Sequence, residues 1–204
     1  TIFLNFCFSN LIIKSLTFLP TIKFIGISGA LALENSNKDD DIDLFVITDK
    51  EKLWLTRLIM IIFLKIIGKY RSYNSKEVSD KICLNMLITE EALNLPKERQ
   101  NLYTAHEIAQ ILPILDKYNT YAKFLSANIW IKKFTPNAIK RIKNKELGIK
   151  NKNKNPLFII RNSLFILELI AKHIQLLSIN KHKTTETIED HFLAFHPFDY
   201  KNKI

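Results

Sequence analysis

Asp41 and Asp43 carry the clearest chemistry in the chain. Two carboxylates alternate with apolar residues at the head of Asp41-Ile42-Asp43-Leu44-Phe45-Val46-Ile47. Side chains at i and i+2 of a strand share a face, so the two acids stand side by side, with Cα atoms about 6 to 7 Å apart. Adjacent carboxylates repel each other and together attract a divalent cation. Oxygen donors of this kind suit Mg2+, which takes one or two protein carboxylates and completes its shell with substrate phosphates; Mn2+ accepts the same donors. Upstream, the apolar run Phe24-Ile25-Gly26-Ile27 ends in the turn Ser28-Gly29-Ala30. Such a small-residue turn lets backbone N–H groups approach a phosphate closely. Asp39 and Asp40 read instead as a solvated acidic turn, because only Asp41 and Asp43 enter the apolar strand.

This arrangement resembles the nucleotidyltransferase superfamily typified by DNA polymerase β: an apolar strand, a glycine turn, then Asp-x-Asp on the next strand. The stretch GISGALALENSNKDDDIDLFVIT is most similar to small stand-alone nucleotidyltransferase-domain proteins of bacteria. Gly29 matches the motif glycine, and Asp41 and Asp43 match the metal-binding pair. The resemblance covers residues 20–90 and continues more weakly through NLYTAHEI and FHPFDY. It implies an ATP-like nucleoside triphosphate held through Mg2+ or Mn2+, with its phosphates on Ser28, Gly29 and Ala30. It further implies transfer of the NMP group to a hydroxyl acceptor, whether protein, small molecule or RNA, with Asp41 and Asp43 as the catalytic pair.

Two positions depart from the family pattern. The motif serine is Ala30, leaving Ser28 or backbone N–H groups to contact phosphate. The family's third carboxylate lies mid-strand, and the candidate strand, 81–88, offers Asn85 at its centre. Asp80 precedes that strand and serves only if the register shifts. These departures give a second reading, a catalytically degenerate domain that binds a nucleotide or a regulatory partner.

The elements that position these residues follow from apolar patterning. A helix over 9–19 stops at Pro20, and strands follow at 22–28, 41–48 and 81–88. Thr48-Asp49-Lys50-Glu51 has the form of a capping box. It predicts a helix from about 50 to 68, closed by Gly68. The expected class is α/β (α+β), with a small mixed-sheet nucleotidyltransferase domain over 1–95. A mostly α-helical region over 96–204 packs on or beside it. Its helices are expected at 100–112, 120–134 and 156–179, the last opened by Asn155-Pro156, with a short one within 185–195. Trp54 and Trp130 read as core residues, His106 as structural, and Phe195 to Tyr200 as a docking tail.

Composition narrows the function classes. With 204 residues, 47% of them hydrophobic and 25% charged, the chain is globular rather than disordered. A net charge of +10 attracts polyanions. Residues 132–154 hold nine basic residues against Glu146 alone. They form either a solvated connection or an electrostatic track for RNA or DNA, which gives a third reading, a basic nucleic-acid-binding module. Cys7 and Cys83 lie far apart in apolar runs without zinc-type spacing, so both read as buried thiols in a reducing, cytoplasmic setting. Residues 1–13 lack the basic start and small-residue cleavage site of a signal peptide. The apolar runs 53–67 and 157–179 contain Arg57 and Lys65, and Arg161, Glu168 and Lys172, respectively. Both are expected to be core helices rather than membrane spans.

Overall fold

The computed structural model describes residues 11–32, 40–72, 79–136, 163–181 and 186–195. A helical segment α1 (11–16) leads into β1 (Ile22–Ser28), the single turn α2 (Gly29–Ala32), β2 (Ile42–Thr48), α3 (Leu53–Ile66) and β3 (Ile82–Thr89). There follow α4 (Leu102–Gln110), β4 (Leu112–Asp116), α5 (Thr120–Ala127), α6 (Ser163–Ile179), β5 (Thr187–Ile188) and β6 (Phe192–Ala194). The six strands form one mixed sheet in the order β4-β1-β2-β3-β6-β5. β2 and β3 run parallel, joined through α3, and the other neighbours are antiparallel. The mixed α+β architecture expected from the sequence is therefore present.

Every residue of β1 and β2 is buried, because both faces of the sheet are covered. On one face Ile25, Leu44, Val46 and Leu87 pack with α1, α3 and Ala171 of α6. On the other Phe24, Phe45, Ile47 and Ile88 pack with α4, α5 and the 3-10 turn Ile129–Lys133. Here Phe24 stacks on Tyr121 with ring centroids 4.7 Å apart. Trp54 and Trp130 both lie in the core, as expected, and His106 sits exposed on α4.

Several local expectations are corrected. The helical reading of 100–112 ends at Gln110, and 112–116 is a strand. Pro113 lacks an N–H and is tolerated because β4 is a sheet edge. The short helix expected within 185–195 is the β5/β6 pair, and 120–134 divides at Asn128 into α5 and a 3-10 turn. The capping box at Thr48–Glu51 does not form. Helix α3 starts at Leu53 without a local side-chain cap. Glu168 of α6 supplies the cap instead, accepting hydrogen bonds from the backbone N–H groups of Trp54 (2.7 Å) and Leu55 (2.8 Å). The other end of α3 closes as expected. Gly68 has φ +68°. Lys69 N–H bonds to Leu64 O at 2.8 Å and Gly68 N–H to Lys65 O at 3.0 Å, which is the Schellman arrangement.

Most of the basic stretch 132–154, all of 155–162 and the tail residues 196–200 lie outside the described residues. Phe195, the first residue of that tail, docks as expected: its N–H bonds to Asn85 O and its ring lies under the Arg57 guanidinium. Among the described residues no helix is long and apolar enough to cross a membrane.

Candidate functional site

The site lies where β1 leaves the sheet and β2 and β3 enter it. Ser28 pairs with Asp43 across the antiparallel β1/β2 ladder, and Asp43 pairs with Cys83 across the parallel β2/β3 ladder. Residues directly opposite in a ladder point to one face. Ser28, Asp43 and Cys83 therefore form a row across three adjacent strands, on the face that carries Phe24 and Phe45 deeper in the fold. Asp41, two residues before Asp43, joins the row at the sheet edge. Ligand atoms of Asp41, Asp43 and Cys83 all lie within 4.8 Å of one another.

The predicted pair of carboxylates thus stands together. The residue that stands with the pair is neither of the two sequence candidates, Asn85 and Asp80. Cys83, rather than Asn85, stands opposite Asp43, and the register shift that follows, before Phe45/Met86, leaves Asn85 without a paired position on β2. Asn85 is buried beyond that shift. Asp80 sits in the turn before β3 with φ +57° and is not part of the cluster. The sequence reading of Cys83 as a merely buried thiol missed this. The signal available was its place two residues into the strand that pairs with Asp-x-Asp.

Gly29 closes the row from the β1 side. Its φ is +69°, and a Cβ built there would meet Asp43 Oδ2 at 2.3 Å. The backbone of the turn is therefore pressed against the carboxylate, a close approach that a side chain would fill. Ser28 Oγ is buried and has no hydrogen-bond partner among the described residues, which is uncommon for a buried hydroxyl. Ala30 follows in the single turn α2, which carries the chain away from β1.

Arg71 was not anticipated. The segment beside it runs along the start of β3, with Ile82 N–H bonded to Lys69 O and Arg71 N–H to Ile82 O. This holds the Arg71 guanidinium in an ion pair with Asp41. Burial, then the Asp43 charge, hold the Asp41 carboxyl above the usual carboxylate range, while Arg71 pulls the other way. Burial, the two carboxylate charges and a hydrogen bond to Asp43 push the Cys83 thiol far above its ordinary range. The cluster as it stands is two acids, one arginine and one protonated thiol.

The donor set and the Ser28 hydroxyl, unmatched among the described residues, fit a divalent cation together with an oxyanion. No family model and no curated protein matches the chain, so the reading of this site rests on its geometry and on the resemblance of its motif.

Proposed function

We propose that the chain binds a nucleoside triphosphate through a divalent cation at Asp41 and Asp43 and transfers its NMP group to an acceptor hydroxyl. The observation that carries this reading is the row Ser28–Asp43–Cys83 with Asp41 beside it and the Gly29 backbone against Asp43. Asp41 and Asp43 would hold the ion, which on binding would neutralise phosphate charge and align the acceptor with the α-phosphorus. Ser28 Oγ donates to a phosphate oxygen, which satisfies its otherwise unmatched hydroxyl. Gly29 lets the Asp43 carboxylate lie against the turn backbone, next to the space the phosphates would enter. Arg71 sits at the rim of the cluster on Asp41, where its positive charge offsets that of the acids.

One observation favours a second reading, nucleotide binding without transfer. The third acid through which the resembled family removes the acceptor's proton is replaced by Cys83, whose thiol burial and the neighbouring carboxylates hold protonated. Pyrophosphate release from ATP, GTP, CTP and UTP, with Mg2+, Mn2+, Co2+ or Zn2+ in turn, separates the two. The transfer reading predicts slow release, with water attacking the α-phosphorus in place of the missing acceptor and free NMP formed, that Asp43→Asn abolishes without lowering the melting temperature. Metal-dependent binding with no release establishes the second reading, and absence of both binding and release overturns both.

A further inference from the structure

The third member of the acid cluster is a sulfur, and this changes which ion the cluster prefers. We infer that Asp41, Asp43 and Cys83 form a mixed oxygen–sulfur metal site, selective for a thiophilic divalent ion such as Zn2+ or Co2+ over Mg2+. The inference rests on the same pair of carboxylates as the proposed function and adds the identity of the ion.

Three observations place the site. The ligand atoms of the three side chains lie within 4.8 Å of one another, a spacing that one ion can bridge. The ladder pairing of Asp43 with Cys83 fixes the sulfur beside the carboxylate through the backbone rather than through a mobile side chain. Ser28, which is 4% exposed, presents from the adjacent strand, on the same face, an Oγ that has no partner among the described residues. A buried hydroxyl without a partner points to a polar ligand in that space: a water on the ion or a phosphate oxygen.

The donor chemistry then selects the ion. Mg2+ is hard, demands near-octahedral oxygen ligands and gains little from a thiol. Zn2+ and Co2+ accept thiolate and carboxylate together. On binding, the Cys83 S–H bond breaks, its proton leaves to solvent, and the freed sulfur electron pair is donated to the ion. Asp41 exchanges part of its pairing with Arg71 for the ion.

The test is a titration of the full chain with Co2+ alone, read by absorbance, beside calorimetric titrations with Co2+ and with Mg2+. Wild type is expected to develop a sulfur-to-cobalt charge-transfer band that saturates at one ion per chain. Cys83→Ser should lose that band and lose tenfold or more of the preference for Co2+ over Mg2+. Cys83→Asp should bind Mg2+ more tightly than wild type does, and unchanged or weaker Mg2+ binding counts against the inference. A saturated wild type without the band overturns the inference, as does a band that survives in Cys83→Ser or an unchanged Co2+/Mg2+ ratio. The wild-type band stands as a readout even if a variant fails to fold. A missing band alongside Mg2+-dependent nucleotide binding through Asp41 and Asp43 sinks this inference and leaves the proposed function standing. A band without nucleotide binding does the reverse.

Discussion

At the scale of single residues, the site depends on a left-handed backbone position with no room for a Cβ. Gly29 combines φ +69° with a Cβ position 2.3 Å from Asp43 Oδ2. An alanine there carries left-handed strain and also displaces the carboxylate. Gly29→Ala is expected to cost about 1–3 kcal/mol and to abolish metal-dependent nucleotide binding; urea unfolding and calorimetry check the two effects separately. Unchanged binding would remove Asp43 from the site. The acids at this site were legible in the sequence because Asp-x-Asp at a strand entrance has a fixed geometry whatever the rest of the chain does. Cys83 and Arg71 were not, because both reach the acids through pairings set only when β3 and the segment before it dock beside β2.

At the scale of elements, long-range side chains replace local caps. Glu168 holds the start of α3 from 113 and 114 residues away along the chain. Glu168→Ala leaves two backbone N–H groups unmatched and is expected to cost about 2–3 kcal/mol in urea unfolding. Its pH behaviour has a definite sign. Burial raises the Glu168 carboxyl above its ordinary range, outweighing the two N–H bonds and Lys52. An acid whose folded pKa exceeds its unfolded value binds more proton in the native state, so its contribution falls as pH rises between the two. The stability gap between wild type and Glu168→Gln should therefore be wider in the acidic carboxylate range than at neutral pH; a narrower gap there contradicts the assignment. Asn128 plays the matching part on the other face. Its Oδ1 accepts from Leu95 N and Trp130 Nε1, and its Nδ2 donates to Leu93 O and Phe124 O. Asn128→Leu strands several of these groups and is expected to cost about 3 kcal/mol. Neither role was legible in the sequence, where Glu168 read as an interruption of an apolar helix and Asn128 as part of a continuous one.

At the scale of the whole molecule, the central strands were legible and the outer ones were not. β1, β2 and β3 are covered on both faces and read as mainly apolar runs, interrupted by Lys23, Asp43 and Asn85. β4 carries a proline, and β5 and β6 are two and three residues long; their strand character comes from pairing with distant chain, such as Met86 with Ala194. Helix α6 shows the same dependence on context. It turns Glu168, Ala171 and Gln175 inward and leaves Ile166, Ile170, Ile174 and Leu177 about half exposed or more, at 63%, 48%, 52% and 59%. The inward polar residues are retained because they bond to α3: Gln175 accepts from Arg57 Nη1 and donates to Trp54 O. Ile166→Lys with Leu177→Lys should leave the melting temperature within the small range expected of surface changes and raise solubility. A large fall in melting temperature would show that this face is packed.

The central claim is tested most directly by calorimetric titration of ATP, GTP, CTP and UTP, with and without a divalent cation, on wild type and on Asp41→Asn/Asp43→Asn. The account predicts binding of at least one nucleotide that requires the cation and is lost in the double variant while the fold, read by its melting transition, persists. Binding that ignores the cation, or that survives the loss of both carboxylates, contradicts it.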